Sequence, residues 1–117
     1  MPRFYHYPKC STCRSAQKWL ESHRQSLDPT DITLDPPSKK ELGKILSLSG
    51  KKITDLLNKS GEQYRLLNMK EKVKTMTADQ ILGLLSQNGK LIKRPLVYDG
   101  KKATIGFKTE EFDKTWG

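Results

Sequence analysis

The chain has 117 residues, enough for one domain, or one domain with a small elaboration, built around a single core. Lys+Arg number 22 against 13 Asp+Glu, a formal net charge of +9. No run approaches the roughly 18 apolar residues of a membrane-spanning helix, and the periodic placement of the apolar residues argues against disorder.

Met1-Pro2-Arg3 leads directly into strand-like residues without the apolar stretch of a signal peptide, so the expected location is cytoplasmic. In that compartment two neighbouring cysteines are catalytic, redox-sensing or metal-binding rather than a structural staple. The positive charge suits oxyanions, nucleic acid or an acidic protein face, or it describes a solvated lysine-rich surface. Lys39-Lys40, Lys51-Lys52, Lys70, Lys72, Lys74 and Lys101-Lys102 are scattered rather than interleaved with aromatics, which argues against direct nucleic-acid binding.

Residues 3–7 are short and aromatic-rich, fit for a central strand ended by Pro8. Arg14 to His23 reads as a helix, with Ala16, Trp19, Leu20 and His23 on one face. Residues 28–34 read as a second strand, so the opening is β-α-β. After Pro36-Pro37, Ser38 and Glu41 have the spacing of a capping box. Leu42, Ile45 and Leu46 then supply a buried face, and Gly50 stops the helix. Short helices are expected over 52–58 and 62–69. Thr77 and Gln80 form a second capping box before Ile81, Leu82, Leu84 and Leu85. Residues 91–98 return to strand character, Asp99-Gly100 is a two-residue hairpin turn, and residues 102–107 pair back. A last helix starts at Thr109 and carries Phe112 and Trp116. This order predicts an α/β fold: a thioredoxin-like sandwich with a four-stranded mixed sheet, as one domain over 1–117 with a helical insertion at about 36–90.

Both cysteines, Cys10 and Cys13, sit where the first strand gives way to the first helix. A thiolate is the reactive form, and a helix N-terminus stabilises it through the dipole and free N–H groups. Lys9 and Arg14 add positive charge nearby. Cys10 is therefore expected to be the attacking nucleophile, and Cys13, one turn on, the resolving thiol. A buried structural pair and half of a zinc site are the competing readings. Zinc usually needs four ligands, and the only histidines are His6 and His23, read respectively as a packed strand residue and a helix-face residue; no metal is expected. Arg94-Pro95 is the second candidate constellation. Pro95 could hold a cis bond beside the redox loop, and Arg94 offers a planar cationic fork for an oxyanion or carboxylate. The plain alternative is an edge-strand proline with a solvated arginine.

The segments Tyr7-Pro8-Lys9-Cys10-Ser11-Thr12-Cys13-Arg14, Pro36-Pro37-Ser38, Leu91-Ile92-Lys93-Arg94-Pro95-Leu96 and Gly106-Phe107 together resemble the arsenate reductase/Spx/MgsR family. The match runs through nearly the whole chain in consistent order. The resemblance implies a thioredoxin-like fold with an inserted helical subdomain, a cis-proline at Pro95 and a redox-active Cys10. Glutaredoxin-dependent arsenate reductases of that family carry further arginines at positions that fall at Asn58 and Phe107 here, and they lack a counterpart of Cys13. Spx-type regulators have the C-x-x-C pair and bind the carboxy-terminal domain of the RNA polymerase α-subunit, through a contact glycine whose position falls at Lys52 here. The chain also ends at Trp116-Gly117, without the longer tail of those regulators. The expected function is a thiol–disulfide oxidoreductase whose electron donor is glutathione, another small thiol, or a thioredoxin/glutaredoxin-type protein, with no bound cofactor. The alternative is a redox-sensing transcription regulator.

Overall fold

The computed structural model describes residues 1–117. β1 (Arg3–His6), β2 (Asp28–Asp31), β3 (Leu96–Tyr98) and β4 (Ala103–Ile105) form one sheet in the order β2-β1-β3-β4. β1 and β2 are parallel, joined by α1 (Ser11–Ser22), and the other two pairs are antiparallel. The mixed four-stranded sheet expected from the element order is present.

Successive strand residues point to opposite faces, and this divides the core in two. Phe4 and Val97 lie opposite each other and pack with Ala16 and Leu20 of α1 and Phe112 and Trp116 of α6 (Thr109–Trp116). Their neighbours Tyr5 and Leu96, with Ala103 and Ile105, face a larger cluster. That cluster includes Leu42 and Ile45 of α2 (Lys39–Ser49) and further helical residues that follow in the chain. Each fully buried large side chain contributes about 1.5–3 kcal/mol. Between α2 and β3 come a 3-10 turn (Ile53–Leu56), α3 (Glu62–Leu66), α4 (Met69–Lys72) and α5 (Ala78–Gln87). Met69, Ile81 and Leu85 join this second cluster.

Both expected capping residues, Ser38 and Thr77, cap their helices, but only one of the two expected boxes closes, and α3, α4 and α6 start without a side-chain cap. Thr77 and Gln80 form the reciprocal box at α5, each bonding the other's backbone N–H. At α2, Ser38 accepts from the Glu41 N–H, but the Glu41 carboxylate does not reach back. It accepts instead from the buried Tyr5 hydroxyl at 2.6 Å. A buried phenol needs a partner, and that long-range demand takes Glu41 from the cap.

Several expected boundaries shift: α1 begins at Ser11 rather than Arg14, the helix expected over 62–69 is two short helices, and β4 spans only Ala103–Ile105; three further shifts have a visible cause. β2 is shorter than residues 28–34, because the Asp31 carboxylate accepts from both the backbone and the hydroxyl of Thr33 and turns the chain. The hairpin turn is displaced by one residue: the Asp99 N–H bonds the Lys102 carbonyl, leaving Gly100 and Lys101 at the tip. The apolar run 91–98 is not one strand. Lys93 N–H donates to the Leu56 carbonyl at 2.7 Å and Asn58 N–H to the Leu91 carbonyl at 2.8 Å, an antiparallel bridge between Leu57 and Ile92. Only residues 96–98 join the sheet, because Pro95 has no N–H to donate to a ladder.

Candidate active site

Cys10 is the N-cap of α1, in extended backbone, and its Sγ accepts from the Cys13 N–H at 3.4 Å. The N-cap role normally falls to an oxygen of Ser, Thr, Asp or Asn. Here a sulfur occupies it, in the position where the helix dipole and unsatisfied amides favour negative charge. Both cysteines are free thiols, Cys10 half-buried and Cys13 buried.

The two thiols are driven in opposite directions. Burial works to raise Cys10, but the neighbouring Cys13, whose amide donates to the sulfur, and the Arg94 positive charge outweigh it and leave its pKa lowered. Burial, with the adjacent Cys10 sulfur, pushes Cys13 up to about 12. Of the two thiols, Cys10 is therefore the more readily ionised and Cys13 the one that holds its proton.

Arg94 approaches Cys10 from the far end of the sequence. Its guanidinium carbon sits 4.9 Å from the Tyr7 ring centroid, and its Nε is buried without a hydrogen-bond partner. The Arg94-Pro95 bond is cis, Pro95 is buried, and the Pro95 carbonyl accepts from Gly106 N–H at 2.9 Å. The Leu57–Ile92 bridge brings the loop through Asn58 to the same place. The result is an open cleft of about 560 Å³ with Cys10, Thr12, Asn58, Lys93, Arg94 and Phe107 on its walls.

Of the residues expected at the site, the structure thus brings Cys10, Cys13, Arg94 and Pro95 together. Lys9 is exposed and outside the cleft. Arg14 is exposed and donates to the Pro8 carbonyl at 3.2 Å, holding the loop rather than lining the cavity. His6 stacks on Phe4 at 5.5 Å, and His23 stacks on Trp19 at 3.7 Å in an exposed position. Thr12, Lys93 and Lys108 also line the cleft and Tyr7 lies under Arg94; Tyr7, Thr12 and Lys93 belong to the segments that carry the resemblance without being singled out as site residues, and Lys108 carries no local signal. Lys93 and Lys108 are brought there only by the chain path.

The ArsC family model matches residues 5–115. The chain is 49% identical to the uncharacterized protein YusI of Bacillus subtilis (strain 168), over 97% of this chain and 96% of YusI. It is 33% identical to the regulatory protein MgsR of the same organism, over 95% of this chain and 86% of MgsR. It is also 33% identical to the global transcriptional regulator Spx of Streptococcus pneumoniae (strain ATCC BAA-255 / R6), over 89% of this chain and 77% of Spx. Among solved structures, a putative ArsC family related protein from Bacteroides fragilis superposes with a TM-score of 0.92 at 40% identity, covering 97% of this chain and 95% of the other. A possible arsenate reductase from Streptococcus mutans UA159 does so with a TM-score of 0.87 at 39% identity, covering 97% and 98%. Matched from its first strand to its last helix, this chain belongs to the ArsC family.

Proposed function

We propose that the chain is a thiol–disulfide oxidoreductase working through Cys10 and Cys13. The Cys10 thiolate attacks one sulfur of a substrate disulfide, whose other sulfur leaves as a thiolate. Cys13 gives up its proton and attacks Cys10, releasing the second substrate thiolate and closing a Cys10–Cys13 disulfide. The two electrons come from the dithiol, which glutathione, another small thiol or a thioredoxin/glutaredoxin-type protein restores. Arg94 stabilises the Cys10 thiolate and orients an anionic group on the substrate.

The observation that carries this reading is the Cys10 sulfur capping α1, with its pKa lowered while that of Cys13 is raised. Low-pKa cysteines at helix N-termini are the reactive kind. Asn58 and Phe107 line the same cleft, where the resemblance puts arginines in arsenate reductases. Lysines line the cleft, but without those two guanidinium forks only Arg94 can grip an oxyanion bidentately, so the reading favours disulfides over arsenate. Stopped-flow alkylation tests it: Cys10 should react well ahead of an ordinary exposed thiol, and mass spectrometry after oxidation should find the Cys10–Cys13 link. An ordinary rate at Cys10, or disulfide reduction that survives Cys10→Ser, would end it.

A second reading is favoured by the similarity to proteins named as regulators, MgsR and Spx. In it the same pair switches binding to the carboxy-terminal domain of the RNA polymerase α-subunit. Pull-down of that domain with reduced and oxidised protein discriminates, and capture in neither state removes this reading.

A further inference from the structure

Two clefts meet at Arg94. The larger holds Cys10; the smaller, about 200 Å³, is bounded by Tyr7, Thr33, Gln63 and Lys90. Asn58, Gly61 and Arg94 line both, so the two form one groove. Its walls carry Lys59, Lys90, Lys93, Arg94 and Lys108 against Asp55 and Glu62. None of those cations is ion-paired; the chain's ion pairs are Arg3–Asp28, Lys39–Asp79, Lys51–Glu111 and Lys74–Glu71. The Arg94 Nε is buried in the groove wall with no partner. Gly106 adds to the arrangement: a Cβ there would lie 2.9 Å from Lys93 Cε, so the missing side chain lets the lysine stem cross the end of β4. Unpaired cations lining a concave surface raise the local potential and draw in a negatively charged ligand.

We propose that this groove receives an extended acidic polypeptide segment whose cysteine is held in a disulfide, so that the substrate of Cys10 is a protein disulfide in an acidic context. The inference rests on the thiol–disulfide reading above. Cys10 lines only the larger cleft, and an occupant bonded to it reaches the smaller one by running past Arg94. A peptide of several residues does this, and its carboxylates meet Lys93 and Lys108 on one side of Arg94 and Lys90 on the other. Attack of the Cys10 thiolate forms a sulfur–sulfur bond to the segment's cysteine and breaks that cysteine's existing disulfide, whose other half departs as a thiolate. Cys13 then transfers the linkage to itself, and the segment's sulfur leaves and takes up the proton.

The test uses the Cys13→Ser protein, in which the first step is read alone. Three peptides of equal length, acidic, neutral and basic around one cysteine, are presented as mixed disulfides with thionitrobenzoate, and release of the chromophore is followed by stopped flow. Thionitrobenzoate is common to all three, so differences report the peptide. The acidic peptide is expected to react about tenfold or more faster than the basic one at low ionic strength. That advantage should shrink with added salt and be lost in a Lys93→Gln/Lys108→Gln protein. Equal rates for the three peptides, or an acidic advantage untouched by salt and by the lysine changes, would overturn the proposal while leaving the thiol chemistry intact. So would the mixed disulfide of glutathione with thionitrobenzoate reacting as fast as the acidic peptide's, since that would make the groove a reader of small anions. If Cys10 reacts with every probe at the rate of a free cysteine, it is the thiol–disulfide reading itself that fails.

Discussion

The Arg94 guanidinium lies over the Tyr7 ring, 4.9 Å from its centroid, and from there its positive charge helps hold the Cys10 pKa down. A cation over an aromatic face is held at about 0.5–2 kcal/mol. With its Nε making no hydrogen bond, the ring is a principal restraint on where this guanidinium sits.

Arg94→Ala should therefore raise the Cys10 pKa and slow its alkylation at neutral pH several-fold. Tyr7→Ala should move the pH–rate profile in the same direction by a smaller amount, whereas Tyr7→Phe, which keeps the ring, should leave it in place. Iodoacetamide kinetics across pH measure all three. A Tyr7→Ala profile that coincides with wild type would show that other contacts hold Arg94.

Stability should depend on alkaline pH in a direction set by the buried groups. Cys13 moves from an ordinary 9.0 to about 12 and Tyr5 from 10.0 to about 12, both chiefly because burial disfavours the anion. Between those limits the folded chain keeps protons that the unfolded chain has lost, so stability falls as pH rises through the window. Cys10, lowered from 9.0, acts oppositely: between its folded value and 9.0 its contribution grows with pH. Urea unfolding midpoints should therefore decline from about pH 9 upward, and Cys13→Ser should delay the onset to the range set by Tyr5.

Gly89 touches backbone where a side chain would stand: a Cβ there would lie 1.8 Å from the Ile32 carbonyl oxygen and 2.7 Å from its carbon. Neither atom can rotate away. Gly89→Ala must shift the chain after β2 or the turn after α5, at a cost of about 1–3 kcal/mol or more. The thermal midpoint should drop on the order of 10 °C. Gly83→Ala, where nothing lies within 4 Å of the added carbon, is the control and should cost little or add stability.

The Trp116 indole N–H donates to the Thr104 hydroxyl at 3.0 Å inside the core face shared by α6 and β4. Thr104→Val leaves that donor buried and unpaired, a loss of about 1–3 kcal/mol. Trp116→Phe alone strands a hydroxyl that can turn elsewhere. The double variant should be less destabilised than the two single losses combined, a coupling measurable by urea unfolding of all four proteins.

The residues around Cys10 state their chemistry locally. A strand, a proline and a C-x-x-C opening a helix are contiguous, and the N-terminus of a helix favours a thiolate wherever the rest of the chain goes. The Thr77–Gln80 cap, the 3.6-residue period of Ala16 and Leu20, and the alternation of Ala103 and Ile105 are likewise near-neighbour effects, readable before folding. That was enough for the mixed sheet and for the strand–helix junction as the candidate site. What the sequence could not reveal depends on contacts between distant segments. Glu41 has the spacing of a helix cap, yet it serves the Tyr5 phenol because burying that hydroxyl unpaired would cost more. Residues 91–93 have the composition of a sheet strand but bond to Leu56 and Asn58, and this brings the Asn58 loop beside Arg94. Lys9 and Arg14 are near Cys10 in sequence and point elsewhere, while Lys93, Arg94 and Lys108, remote in sequence, surround it. Local spacing determined that a cysteine would cap the first helix; only the closure of long loops against one another decided which charges face it.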